Sequence, residues 1–195
     1  MRKAGESLTI EHLRRALAAR PAERLELRDH DRAAILVPLL DAPDGPALLF
    51  TVRAPHLSRH AGQVAFPGGR LDPGEDDLSA ALREAREEVG LVVPPEAVCG
   101  RLDDHPSPFG LVATPLVAHV PWPARLRLEA GEVSETFAVL LEDLRAVEPS
   151  VEHRDTPFGA RRLYGYSIAG RRIWGLTGNV VHDLLSRLAA AEALA

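Results

Sequence analysis

The chain has 195 residues, of which 46% are hydrophobic and 26% charged, a composition typical of one globular domain spanning residues 1–195. Its net charge is -5 and its arginines are spread along the sequence, which argues against nucleic acid as a partner. No apolar run approaches the ~20 residues that span a bilayer, and no signal peptide opens the chain, so we expect a cytoplasmic protein that does not interact with membranes. The single cysteine, Cys99, agrees with a reducing compartment.

The first elements are a predicted helix and a predicted hairpin. Leu13 and Leu17 repeat at helical spacing within a segment that predicts a helix over about residues 7–20. Two extended runs follow at residues 33–40 and 47–53, and the Asp, Pro and Gly residues between them favour a turn. We therefore expect this hairpin to enter a β-sheet.

A loop over residues 54–74 precedes the most regular helix of the sequence. We expect Asp77 to cap the start of this helix and Gly90 to end it, because aspartate favours the N-cap and glycine the left-handed C-terminal position. Between them, apolar residues repeat at one helical face. These residues are Leu78, Ala81, Leu82, Ala85 and Val89.

The second half of the chain mixes strands with a terminal helix. Extended segments are predicted at residues 97–102, 114–120, 135–140 and 161–168, and a C-terminal helix at about residues 179–193. Because strands and helices are interleaved without strict alternation, the sequence predicts an α/β protein with a mixed sheet flanked by helices.

The central helix carries three glutamates on one face. On a helix with 3.6 residues per turn, Glu84, Glu87 and Glu88 fall within an arc of about 100°, where they repel one another unless a cation lies between them. Carboxylates without nearby His or Cys favour Mg²⁺ or Mn²⁺, which often also bind substrate phosphates. Gly68 and Gly69 would let the backbone approach such a ligand. The alternative is an ordinary solvated face, since Glu-rich helices are common on protein surfaces.

The spacing around these glutamates resembles the Nudix box of the Nudix hydrolases. The box would span residues 69–91, and every fixed position is present: Gly69, Glu75, Arg83, Glu84, Glu87, Glu88 and Gly90, with Ala85 where the family usually has a larger aliphatic residue. The resemblance implies an α/β/α sandwich with a mixed sheet, and hydrolysis of a nucleoside diphosphate linked to another group, with Mg²⁺ or Mn²⁺ as cofactor.

Roles for individual residues also follow from the resemblance. Glu87 and Glu88 would be the main metal ligands, Glu84 a further ligand or the general base, and the Gly68 carbonyl would complete the shell. Arg83 and Glu75 would orient one another. The family sometimes draws its base from a later loop, and this sequence offers three glutamates there without choosing among them: Glu129, Glu132 and Glu135.

A second resemblance lies upstream, in "LFTVRAPHLSRHAGQVAFPGG" (residues 49–69). It is similar to a signature of the coenzyme A pyrophosphatase branch of the family, with Arg53 in register, but Ser58 stands where a second arginine is expected and Arg59 follows it. Arg53 and Arg59 would bind the 3′-phosphate or the diphosphate of coenzyme A, with Gly68 and Gly69 close to the substrate.

The expected reaction is cleavage of coenzyme A, a small-molecule substrate, to 3′,5′-ADP and 4′-phosphopantetheine. The alternatives are another diphosphate such as ADP-ribose and, more remotely, a sensor domain that binds a nucleotide without cutting it. The sequence does not indicate the oligomeric state. Four aromatic residues are candidates for stacking on adenine, although aromatic residues more often pack in a core. They are Phe66, Phe109, Trp122 and Trp174. The histidines near the site in sequence, His56, His60 and His105, are expected to be ordinary loop residues.

Overall fold

A computed structural model describes residues 9–26, 31–107, 110–156 and 159–193. The helices within these ranges are α1 (Ile10–Ala18), α2 (Asp77–Val89), α3 (Leu141–Ala146) and α4 (Gly175–Ala193), with a short 3₁₀ helix at Pro95–Ala97. The strands are β1 (Asp31–Ala42), β2 (Gly45–Arg53), β3 (Val64–Ala65), β4 (Gly68–Arg70), β5 (Val98–Arg101), β6 (His105–Ser107), β7 (Leu111–Val120), β8 (Val133–Leu140), β9 (Ser150–Thr156), β10 (Gly159–Ile168) and β11 (Arg171–Trp174).

The strands form a large mixed sheet and a small antiparallel one. In the large sheet, β1 is parallel to β7 and antiparallel to β2 and β4, while β2 also pairs with β3 and β8. Strands β9, β10 and β11 form the small sheet. The predicted hairpin is present as β1 and β2, and the predicted mixed α/β fold is confirmed.

Helices pack on both faces of the large sheet because β1 is apolar on both of its faces. Successive side chains of a strand point to opposite faces, so alternate residues of β1 enter two separate cores. One core contains α2 and the other contains α1 and α4. On the α2 side lie Ala34, Leu36 and Leu40, and on the other side lie Ile35, Val37 and Leu39.

Helix boundaries differ from the sequence expectations in three places. Asp76, not Asp77, is the N-cap of α2, since its side chain accepts from the Ser79 N–H at 2.7 Å. Helix α1 is shorter than the predicted 7–20, of which residues 7 and 8 lie outside the described residues. Helix α4 begins at Gly175, four residues before the predicted start, and its first turn packs closely on β10 at Gly178.

Several segments expected to be loop or left unassigned are strands. Residues 68–70, within the predicted loop, form β4 and pair with Ala33 to Ile35 of β1. The chain also forms β9 and β11, which complete the small sheet. Across the described part of the chain, no helix combines the length and apolar character needed to cross a bilayer.

Candidate active site

Helix α2 carries the three glutamates and is fixed firmly at both ends. Its N-terminal N–H groups are capped by Asp76, and Gly90 ends it in the left-handed conformation at φ 68°. The buried face consists of small residues, Ala81 and Ala85 among them, that pack against the large sheet. Helix α2 therefore holds Glu84 and Glu88 in place on its side that faces β4.

Glu88 is a buried carboxylate with little to neutralise it. It is only 4% exposed, and its Oε2 accepts a hydrogen bond from the Gly68 N–H at 3.1 Å. The pKa of the Glu88 carboxyl is raised to about 7, chiefly by burial and also by the charges of Glu84 and Glu132, while the Gly68 N–H and Arg53 act to lower it. A buried, nearly unpaired carboxylate of this kind favours a bound cation.

Glu84 lies directly beside the glycine pair. Burial raises the pKa of its carboxyl, opposed by the hydrogen bond from Arg83. A Cβ atom on Gly69 would lie 2.4 Å from Glu84 Oε1, and one on Gly68 would lie 2.5 Å from the carbonyl oxygen of Ala34. Both positions therefore need glycine, Gly69 to leave room for the carboxylate and Gly68 to let β4 approach β1.

Arg83 connects the remaining acidic residues. Its guanidinium donates to Glu75 at 2.9 and 3.0 Å, to Glu84 at 2.9 Å, to Glu87 at 3.0 Å, and to the carbonyl oxygen of Arg70 at 3.0 Å. The hydrogen bonds from Arg83 lower the pKa of Glu75, and the acidic partners raise that of Arg83. The structure thus places Arg83 and Glu75, the pair named by the resemblance, in direct contact.

The three glutamates do not converge on one point as they stand. Glu87 is the most exposed of them and turns toward Arg83, while Glu84 and Glu88 face β4. Within the described ranges, no group of three or more His, Cys, Asp or Glu side chains is arranged to hold a metal ion. The donor set nevertheless fits Mg²⁺ or Mn²⁺, because it consists of carboxylates and one of them, Glu88, is buried with no cationic side chain of the described part of the chain in direct contact.

Arg53 is placed at the edge of this acidic site. Arg53 is the last residue of β2, and its side chain lies on the same strand face as Leu49, which packs in the core that contains α2. Its positive charge lowers the pKa of Glu88. Its Nε is buried and has no hydrogen-bond partner among the described residues. The guanidinium therefore retains donor capacity beside the carboxylates. Arg59, by contrast, lies on the exposed turn between β2 and β3.

The loop that precedes β8 is bonded to the end of α2, and the three later glutamates have different surroundings in it and in β8. Backbone bonds from Arg127 and Glu129 to Val89 and Glu88, each 2.8 Å, tie this loop to the end of α2. Glu129 bonds to Gly131 N in its own loop, and Glu135 is paired with Arg171 at 2.6 Å.

Of these three residues, Glu132 acts on the site glutamates, since its charge raises the pKa of both Glu84 and Glu88. Its backbone carbonyl also accepts from the Ala54 N–H at 2.8 Å, next to Arg53. The structure therefore distinguishes Glu132 from Glu129 and Glu135, among which the sequence alone did not choose.

The aromatic and histidine candidates have different surroundings. Phe66 is 4% exposed and stacks on Phe50, so it belongs to the core. Phe109 lies outside the described residues. Trp122 is 48% exposed, and Trp174 lines a cavity beside β2 together with Arg172, a residue that sequence reasoning missed.

The three histidines have different surroundings. His56 Nε2 contacts the Gly131 carbonyl at 3.1 Å, and His60 Nδ1 contacts Gln63 Oε1 at 2.9 Å. Burial lowers the pKa of His105, whose Nε2 has no partner in the described ranges. His56 and His60 thus serve to fix the turn after β2 and the loop before β8.

The sequence of the chain is similar to that of proteins from one known family. Residues 29–161 match the family model of the NUDIX domain. The chain is 40% identical over 184 residues to the mitochondrial coenzyme A diphosphatase NUDT8 of Homo sapiens, covering 90% of this chain and 76% of that protein. It is 37% identical over 172 residues to the uncharacterized Nudix hydrolase NudL of Photorhabdus laumondii, covering 86% of this chain and 91% of that protein.

Solved structures agree with the fold. The NUDIX domain of Shewanella oneidensis NrtR, complexed with ADP ribose, has a TM-score of 0.54 at 18% identity and covers 87% of this chain and 91% of that one. A MutT/nudix family protein from Enterococcus faecalis has a TM-score of 0.55 at 16% identity, covering 94% and 73% respectively. At these identities the likeness concerns the fold alone.

Proposed function

The chain belongs to the Nudix hydrolase family, and from this premise we propose that it cleaves the diphosphate bond of coenzyme A to 3′,5′-ADP and 4′-phosphopantetheine. The observation that carries this proposal is the position of Arg53. This residue comes from the upstream segment that resembles the coenzyme A branch, and its charge acts on Glu88 of α2. Similarity to a relative named as a coenzyme A diphosphatase supports the same substrate.

Nudix hydrolases generally use divalent metal ions, and we propose Mg²⁺ or Mn²⁺ for this chain. Glu84, Glu87 and Glu88 would hold the ion, with the Gly68 carbonyl as a further oxygen ligand. The ion would neutralise diphosphate charge and lower the pKa of a bound water. Glu87 must then turn from Arg83, its partner at 3.0 Å, which an exposed side chain can do at little cost.

The protein's own groups would position the substrate and accept the proton. Among the described residues, the Arg53 Nε has no hydrogen-bond partner, and the Arg53 charge acts on Glu88, so we assign Arg53 to the diphosphate rather than to a remote phosphate. Glu132 is the candidate general base, because it is exposed to water and acts electrostatically on both Glu84 and Glu88. Arg83 and Glu75 would hold Glu84 and the turn before α2 in place.

Arg59 lies on the exposed turn that follows Arg53, where it could contact a bound substrate at its outer side. The lone cysteine, Cys99, agrees with a reducing compartment, for which we propose the cytoplasm.

The test is chromatography of products after incubation with coenzyme A, 3′-dephospho-coenzyme A and ADP-ribose in the presence of Mg²⁺ or Mn²⁺. We expect release of 3′,5′-ADP from coenzyme A at the highest kcat/KM of the three. Equal or faster cleavage of ADP-ribose would retain the hydrolase and contradict the substrate. Glu88→Gln should lose metal-dependent turnover, whereas Glu142→Gln, on the exposed side of α3, should retain it.

A further inference from the structure

A cavity of about 330 Å³ lies between the end of β2, the start of β3 and the turn that joins β10 to β11. None of the residues assigned to the reaction lines it. Its lining includes Val52, Gln63, Val64, Arg171, Arg172 and Trp174. The cavity is therefore a space apart from the carboxylates of α2.

The cavity combines an available cation with an aromatic ring. The Arg172 guanidinium lies 5.3 Å from the centre of the Trp174 ring, and no residue of the described ranges forms an ion pair with it. Arg171 is different, since it is paired with Glu135 at 2.6 Å and lies 4.3 Å from the ring centre of Phe137. An arginine that has no ion pair within the described ranges and lies beside an indole favours a ligand that carries both a phosphate and a flat base.

The cavity is also close to the reaction site along the chain. Val52 and Arg53 are consecutive residues of β2, so their side chains point to opposite faces of the strand end. Arg53 acts on Glu88, whereas Val52 lines the cavity. A substrate bound at its diphosphate by Arg53 could therefore pass the end of β2 and place a neighbouring group in the cavity.

We propose that the cavity binds the 3′-phosphorylated adenosine end of the substrate, with Arg172 paired to the 3′-phosphate and Trp174 in contact with adenine. The inference rests on the proposed function, because coenzyme A supplies both groups. It separates two tasks: Arg53 binds the diphosphate, while Arg172 recognises the phosphate that distinguishes coenzyme A from its 3′-dephospho form.

The kinetic test compares Arg172→Ala with a matched control, Arg154→Ala. Arg154 is an exposed arginine of the same small sheet, paired with Glu152 at 2.9 Å. For Arg172→Ala we expect the KM for coenzyme A to rise about tenfold or more with kcat retained, and the KM for 3′-dephospho-coenzyme A to change much less. The control should match the wild type for both substrates. An equal change for the two substrates, or none, would overturn the assignment of Arg172.

Binding can be measured without hydrolysis. The chain has two tryptophans, so Trp122→Phe leaves Trp174 as its only indole. In the presence of Mg²⁺, we expect the fluorescence of this variant to change in a saturable way as 3′,5′-ADP is added. When Arg172→Ala is combined with Trp122→Phe, the affinity for 3′,5′-ADP should fall at least tenfold. Absence of a saturable change would overturn the cavity proposal even if coenzyme A is cleaved. Saturable binding without cleavage of coenzyme A would instead support the cavity and reject the proposed function.

Discussion

At the scale of single residues, the acidic cluster of α2 is organised by one arginine and one glycine pair. Arg83 bonds to Glu75, Glu84 and Glu87, so most of the like-charge repulsion is compensated. Glu88 lies outside this arrangement, with the Gly68 N–H as its hydrogen-bond donor. The residue that most needs a cation is thus also the one that is buried.

The residue-level prediction concerns Glu132. If this side chain accepts the proton of the attacking water, Glu132→Gln should lower kcat about 10²- to 10⁴-fold while the KM changes little. Glu129→Gln is the matched control, because Glu129 bonds within its own loop and should retain activity. Steady-state kinetics with coenzyme A would measure both. Similar losses in the two variants would indicate that the loop, rather than the Glu132 carboxylate, is required.

Sequence alone predicted part of this site. The spacing of Glu84, Glu87 and Glu88 indicated one acidic face, because helical periodicity is a local property. The choice of Glu132 over Glu129 and Glu135 depends on how the loop before β8 folds back onto α2. Arg172 lies at the cavity beside β2 because β11 pairs with β10 in the small sheet. Such long-range contacts leave no periodic signal in a single sequence.

At the scale of elements, α1 and α4 are joined by a partly buried ion network. Arg187 of α4 is 3% exposed at its side chain and bonds to Asp103 at 2.6 Å and to Asp183 at 3.0 Å. Arg20, which follows α1, pairs with the same two aspartates at 2.7 and 2.8 Å. Asp103 therefore links the two helices to the segment after β5.

Asp103→Asn should destabilise the protein by about 2–3 kcal/mol at neutral pH, because it leaves the buried Arg187 guanidinium with fewer acceptors. Urea denaturation would measure the loss. Glu192→Gln is the control, since it breaks a more exposed pair with Arg145 and should cost about 1 kcal/mol or less.

The same variant has an expected pH dependence. Burial opposes ionisation of Asp103, but Arg20, the Glu23 N–H and Arg187 together hold its pKa below the ordinary value. A lowered carboxyl pKa stabilises the fold above the unfolded-state value of about 4, and this contribution is lost as pH falls through the folded-state value. The difference between wild type and Asp103→Asn should therefore shrink below about pH 4. A constant difference would contradict the electrostatic explanation.

Element prediction succeeded where apolar periodicity was strong. The hairpin of β1 and β2 and helix α2 were visible because their side chains alternate or repeat toward a core. Strand β9 was missed because its sequence, Ser150–Thr156, is mostly polar and largely exposed. The start of α4 was missed because its first turn packs through backbone contact at Gly178 and a Thr177 bond to Val64, not through an apolar stripe.

At the scale of the whole molecule, the large sheet separates two environments. Helix α2 and its glutamates lie on one face, and α1, α4 and the small sheet lie on the other. The end of β2 is where the two meet, since Arg53 faces the carboxylates and Val52 faces the cavity. In this molecule of net charge -5, the acidic site and Arg172 therefore lie on opposite sides of the end of β2.

This arrangement predicts that a divalent metal stabilises the whole protein. An ion that binds the folded state alone contributes about 2.7 kcal/mol at 100 times its Kd, which corresponds to a rise in Tm of roughly 5–10 °C for a chain of this size. Thermal unfolding with and without Mg²⁺ or Mn²⁺ would measure the rise. Glu88→Gln should unfold at the wild-type temperature or above it without metal, because it removes a buried charge, yet gain little when metal is added. Glu142→Gln should behave as the wild type, and an equal gain for Glu88→Gln would place the metal elsewhere.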